Sequence, residues 1–66
     1  MARFKMVAEG DLFEKQELGS FHSLEEAAER AAELEELDKY FGYEFVLTDT
    51  LMHVEYFFAA DDWHRS

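Results

Sequence analysis

The feature that most constrains the fold is one amphipathic segment, residues 23–41, which lies between two stretches with strand-like patterns. Ser23 and Glu26 have the spacing of a capping box, in which a serine hydroxyl and a glutamate carboxylate bind free amides where a helix begins. The spacing predicts a helix that begins at Ser23 and ends near Phe41, before Gly42. Its apolar stripe consists of Leu24, Ala27, Ala28, Ala31, Leu34, Leu37 and Phe41.

Two strands are predicted before this helix. Residues 3–8 alternate between two side-chain sets, which is the period of a half-buried strand. A Gly-Asp pair suits a turn, and residues 12–21 are interpreted as the returning strand. Gly19 suits a β-bulge, which would let both Leu18 and Phe21 contribute apolar contacts.

Two more strands are predicted after the helix, since residues 43–48 and 51–58 are rich in aromatic and β-branched side chains and flank a short polar turn. Residues 59–66 are expected to form a C-terminal tail, either flexible or packed. Residues 1–66 should therefore be a single α+β domain of order ββαββ. Its four-stranded antiparallel sheet would carry one helix packed on one face, leaving the other face to water or a partner.

The chain is strongly acidic, with sixteen Asp and Glu against six Lys and Arg and a formal net charge of −10. Binding to nucleic acid or to an anionic membrane depends on cations, so neither is an expected partner. A basic protein surface is the expected partner, because complementary charge speeds encounter and disfavours wrong docking.

Carboxylates follow one another along the helix at steps of four or three residues, and like charges at that spacing cost roughly 0.2–0.5 kcal/mol per pair. Two ion pairs are expected to offset part of this cost: Glu26 with Arg30 and Glu35 with Lys39. The row either imitates phosphates and docks on Lys and Arg of a partner, or simply favours helix and solubility. We name it the acidic helix edge: Glu25, Glu29, Glu33, Glu36 and Asp38.

A second candidate surface is apolar. If Met52, Val54, Tyr56 and Phe58 face the helix, the alternate residues of segment 51–58 lie on the open sheet face. Apolar patches of that kind mark interfaces, either with a second copy or with a foreign partner. Alternatively, the tail folds over part of this face. The residues concerned are Leu51, His53, Phe57 and Trp63.

The sequence offers no catalytic, metal or cofactor site. The chain has no Cys, which excludes disulfides and thiolate zinc sites. His53 and Glu55 form an H-x-E fragment of the zinc deaminase signature, but the required P-C-x-x-C is missing. With these sites missing, an enzyme is not expected. No signal peptide or membrane-length apolar run is found, so a cytoplasmic location is expected.

In size, in charge and in the segment Gly-Ser-Phe-His-Ser-Leu-Glu-Glu-Ala-Ala at residues 19–28, the chain resembles very small, acidic, Cys-free phage-type inhibitors. These include anti-CRISPR proteins and DNA mimics. The resemblance implies an acidic surface that occupies the site where a nuclease or a CRISPR surveillance complex holds DNA or RNA, in the cytoplasm of a host bacterial cell. The alternative hypothesis is a structural or regulatory homodimer joined through the open sheet face at Phe57.

Overall fold

The helix begins where the sequence predicts. In the computed structural model, which describes residues 2–66, α1 spans Leu24–Glu35. The Ser23 hydroxyl accepts a hydrogen bond from the Glu26 amide at 3.1 Å. The Glu26 carboxylate accepts from the amide of His22 at 3.4 Å, whereas a capping box uses the amide of Ser23 itself. The capping box is therefore present in a slightly shifted form.

The helix ends earlier than predicted. Leu37 is extended, with φ −84° and ψ 133°, and Asp38–Tyr40 form a 3₁₀ turn instead of continuing α1. The predicted end at Phe41 is wrong because Tyr40 is the aromatic residue buried in the core, whereas Phe41 is exposed. Gly42, at φ 83°, lies in the turn closed by the Tyr43 amide and the Tyr40 carbonyl at 3.0 Å.

One helix on an antiparallel sheet confirms the α+β class, but the sheet has five strands and not four, so the order ββαββ is incomplete. The spatial order is β2-β1-β3-β4-β5, and every neighbouring pair is antiparallel. The strands are β1 Phe4–Glu9, β2 Lys15–Phe21, β3 Glu44–Asp49, β4 Val54–Ala59 and β5 Asp62–Arg65.

The predicted C-terminal tail is in fact the fifth strand. A two-residue turn at Ala60 and Asp61, with φ of 52° and 61°, reverses the chain after β4. Trp63 then lies opposite Phe58, with ring centroids 4.9 Å apart. Burial of the Trp63 indole stabilises this strand, which the composition of residues 59–66 does not predict.

The core lies between α1 and one face of the sheet. Small helix residues at Ala27 and Ala31 are fully buried, which lets the helix approach the sheet closely. Leu18 and Phe21 both pack against this core, and the register shift opposite Gly19 confirms the predicted bulge. The buried apolar residues are Phe4, Met6, Ala8, Ala27, Ala31, Leu34, Tyr40, Phe45, Leu47 and Trp63. Among residues 2–66, no helix is long and apolar enough to cross a membrane.

Candidate functional site

All five residues of the acidic helix edge are exposed. Glu25, Glu29 and Glu33 lie on α1, whereas Glu36 is its C-terminal cap and Asp38 begins the 3₁₀ turn. The edge is therefore a helical row of three carboxylates followed by two on the connection to β3.

Few of the acids are neutralised by a cation. The two ion pairs expected on the helix are replaced, because Arg30 meets Glu33 at 3.2 Å and Lys39 lies 5.1 Å above the ring of Tyr40. Besides the Arg30 pair, the ion pairs among residues 2–66 join Arg3 to Asp49 and Lys5 to Glu17. Most of the sixteen carboxylates thus face solvent without a cationic neighbour in this part of the chain.

Negative charge accumulates near the end of α1. Partial burial raises the pKa of Glu35, and the nearby Asp61 carboxylate raises it further, with a smaller contribution from Glu36. Glu35 ends the helix and Asp61 lies in the β4–β5 turn, so two separate elements bring acids together here. Repulsion between these carboxylates therefore disfavours the ionised form of Glu35.

At the same end of the molecule the structure exposes three large apolar side chains that the sequence interpretation did not select. Leu12, Phe13 and Phe41 have 87%, 80% and 91% of their surface in solvent. We call them the apolar tip. Its sequence signal is the Leu-Phe pair inside a hairpin loop, where polar turn residues are usual.

The loop that carries Leu12 and Phe13 is well ordered by its own hydrogen bonds. The Gly10 amide donates to the Glu14 carbonyl at 2.9 Å, and the Phe13 amide donates to the Gly10 carbonyl at 3.0 Å. The Glu14 carboxylate accepts from the Leu12 amide at 3.1 Å. A Cβ at residue 10 would overlap this carboxylate, so any other residue there would displace the Glu14 side chain.

The two loops of the apolar tip emerge from the same end of the sheet. Glu9, the last residue of β1, pairs with Lys15 of β2 and with Glu44 of β3. The Glu14 carboxylate beside the phenol raises the pKa of Tyr43, with further contributions from burial and from Asp11. Residues 10–14 and 36–43 therefore lie at the same end of the molecule, which we call the end surface.

The open sheet face differs from its predicted composition. Phe57 lies on it, opposite Val46, and stacks on the ring of His64 with centroids 5.5 Å apart. Leu51 and His53 lie instead in the turn between β3 and β4. Trp63 is buried on the helix side, so it cannot be part of an open-face interface.

The β3–β4 turn that holds Leu51 and His53 is anchored by Asp49, which is 2% exposed. Its carboxylate accepts from Arg3 Nε at 2.9 Å and from Arg3 Nη2 at 2.6 Å. The amides of Leu51 and Met52 also donate to it, at 3.0 and 3.1 Å. The Arg3 guanidinium lowers the pKa of Asp49 to about 2, aided by the two amides. This network is structural.

Over residues 2–66 the structure has no group of three or more His, Asp or Glu placed to hold a metal ion. Fold and surface together define a small acidic α+β protein with one exposed carboxylate edge and one apolar end. Comparisons of the chain with protein-family models, with curated proteins and with solved structures find no match.

Proposed function

We propose that this chain is a stoichiometric inhibitor that covers a basic nucleic-acid-binding surface of another protein. The expected target is a host nuclease or a CRISPR surveillance complex, and the expected location is the cytoplasm of a bacterial cell. One observation carries the proposal: the carboxylates of Glu25, Glu29, Glu36 and Asp38 are exposed and have no ion-pair partner within residues 2–66.

Their placement on a regular helix supports mimicry of a nucleic-acid backbone. Four residues of α-helix rise about 6 Å, so Glu25, Glu29 and Glu33 present carboxylates at a regular interval. Arg binds carboxylate and phosphate oxygens with the same paired N–H groups. A cleft that holds phosphates through Lys and Arg would therefore accept this edge.

Net charge supports the same function at longer range. A charge of −10 on a 66-residue chain produces a field that attracts a cationic cleft and repels free nucleic acid. Such attraction is screened over about 8 Å at physiological ionic strength. Binding should accordingly weaken steeply as salt increases, as nucleic-acid binding itself does.

Capture on the immobilised protein, from a nuclease-treated bacterial lysate, tests the proposal. Each captured protein is purified and bound to labelled DNA or RNA, and the chain is then titrated as a competitor. We expect release of the nucleic acid at a one-to-one ratio, with weaker competition as salt rises from about 0.05 to 0.5 M. A captured set that binds no nucleic acid, or competition insensitive to salt, would contradict the proposal.

Two triple variants with equal loss of charge locate the contact. The first changes Glu25, Glu29 and Glu33 to Gln; the second changes Glu17, Glu44 and Glu55 to Gln. Each set removes three exposed carboxylates, one of them ion-paired. We expect the helix variant to lose competition and the sheet variant to retain most of it. Equal losses would mean that only net charge matters.

One observation favours a second function, a homodimer. Val7, Val46 and Phe57 are half-buried neighbours on the open sheet face and form a short apolar strip. Two copies could pack these strips together. Sedimentation equilibrium over a wide concentration range tests this function, which predicts a dimer that persists in high salt. A monomer at every concentration would exclude it.

A further inference from the structure

The exposed apolar tip includes a residue whose backbone conformation is unfavourable for its side chain. Phe13 has φ 64°, in the left-handed region that disfavours bulky side chains. Yet 80% of the surface of Phe13 remains exposed, so burial does not compensate for this conformation. Because the loop is fixed by hydrogen bonds to Gly10 and Glu14, the exposure is a built feature of the hairpin.

The loops that carry the tip are rich in acids. Its two loops, residues 10–14 and 36–43, contain Asp11, Glu14, Glu36 and Asp38 but a single cation, Lys39. The ammonium of Lys39 lies over the Tyr40 ring and forms no ion pair within residues 2–66. The end surface therefore combines exposed apolar side chains with an excess of negative charge.

This combination selects among the occupants that an apolar surface could have. A second copy of the chain would bring one acidic end surface against another, and an anionic lipid surface would be repelled for the same reason. We infer that the apolar tip docks in an apolar pocket of a partner protein, and that Lys and Arg residues surround this pocket. The inference rests on the proposed function and adds the anchor by which the inhibitor holds its target.

The two surfaces then have different tasks. Charged residues on a rim mainly speed association, whereas aromatic residues in a desolvated pocket slow dissociation. Glu36 and Asp38 belong to both surfaces, so the acidic helix edge and the apolar tip are continuous. A partner bound along the edge would meet Phe41 where the edge ends.

Two synthetic peptides of equal charge serve as probes. One is an amphipathic leucine-lysine helix, which supplies an apolar face flanked by cations; the other is an oligolysine. Amide chemical shifts of the isotope-labelled protein report where each binds. With the leucine-lysine peptide we expect the largest shifts at residues 10–14 and 36–43. Shifts confined to residues 24–33, or no binding, would overturn the inference.

Matched variants separate an anchor from a residue that only shapes its loop. The tip variant combines Leu12→Ser with Phe13→Gly; the control combines Leu51→Ser with Met52→Ser, an exposed apolar pair of the β3–β4 turn. We expect the tip variant to bind the leucine-lysine peptide at least about tenfold more weakly, and the control within about twofold of the parent.

Stability supplies an independent readout. Phe13→Gly removes a bulky residue from the left-handed region, so the urea midpoint should rise while binding falls. A lower midpoint together with weaker binding would mean that Phe13 supports the fold, and would overturn its role as an anchor.

Failure of the anchor and failure of the proposed function give different results. If the anchor is wrong but inhibition is right, the tip variant still releases nucleic acid from the captured target and the helix-edge variant does not. If inhibition is wrong, the parent chain releases no nucleic acid, whatever the peptides do.

Discussion

Removal of Trp63 should unfold much of the protein, because this side chain joins β5 to the core. The indole is 8% exposed and packs on Phe58. Burial of a Trp removes about 150–250 Å² from water, worth about 4–6 kcal/mol at 25 cal/mol per Å². We expect Trp63→Ala to cost about 3–5 kcal/mol. The whole free energy of unfolding of a 66-residue chain is about 3–10 kcal/mol, so this loss is a large part of it.

Trp63→Phe should lower the free energy of unfolding far less than the loss of side-chain volume suggests. The indole Nε1 is buried and has no hydrogen-bond partner within the part of the chain that the structure describes. An unpaired buried donor costs about 1–3 kcal/mol, and phenylalanine removes that donor while it keeps contact with Phe58. The lost ring area and the relieved donor should nearly cancel. We expect a change within about 1 kcal/mol of zero.

Urea unfolding followed by far-UV circular dichroism measures both variants, since Trp63 is the chain's one fluorescent indole. Deletion of residues 60–66 should prevent folding, whereas deletion of Ser66 alone should have little effect. A Trp63→Ala cost below about 1 kcal/mol, or a folded 1–59 fragment, would refute the packed fifth strand. Equal costs for the two Trp63 substitutions would refute the unpaired donor.

Three further predictions concern the turns and titrating groups. Ala60→Asn with Asp61→Gly places the preferred residues in the left-handed β4–β5 turn and should raise the unfolding free energy by about 1–2 kcal/mol, measured in urea. The pKa of Asp49 is lowered, so its contribution to the free energy of unfolding is present above the ordinary value of 3.8 and is lost as pH falls towards about 2. In a series of urea midpoints measured against pH, Asp49→Asn should therefore weaken the decrease in stability at acid pH. An unchanged dependence of the midpoint on pH would contradict this prediction. Burial and Asp61 raise the pKa of Glu35, so ionisation of this group opposes folding; Glu35→Gln should raise the melting temperature at neutral pH, and the gain should vanish as pH falls below the Glu35 pKa.

The parts of the fold that were predicted correctly depend on local signals. The capping box fixes the start of α1 because Ser23 and Glu26 interact within one helical turn. The alternation of residues 3–8 identifies β1 because one of its faces is buried and the other is not. Gly19 marks the bulge because few other residues adopt its φ of 130°.

The parts that were missed depend on contacts distant in sequence. Leu37 continues the apolar stripe of α1 but is extended, because the chain must turn to bury Tyr40. No local sequence pattern shows whether continuation of the helix through Leu37 or burial of Tyr40 is more favourable. The fifth strand was missed for a similar reason, since Ala60 is not a usual residue for its turn and only the burial of Trp63 requires the reversal.

The candidate site was predicted in part. Exposure of Glu25, Glu29 and Glu33 follows from helical periodicity, because the apolar stripe fixes which side of α1 faces the sheet. The apolar tip could not be found in the same way, since an apolar pair beside a strand is usually assigned to the core. Only the strand register shows that β2 begins at Lys15 and leaves Leu12 and Phe13 in the loop.

Departures from local preference are concentrated at one end of the molecule. Among residues 2–66, three of the four non-glycine residues with positive φ, Phe13, Ala60 and Asp61, lie at the end where β1 and β4 finish; the fourth, His53, lies in the β3–β4 turn. Phe41, almost fully exposed, lies there too. Residues usually agree with their local structure, and exceptions are expected where function outweighs stability. If the apolar tip had no partner, replacement of Leu12, Phe13 or Phe41 by a polar residue or a glycine would favour the folded protein, at no cost to the core.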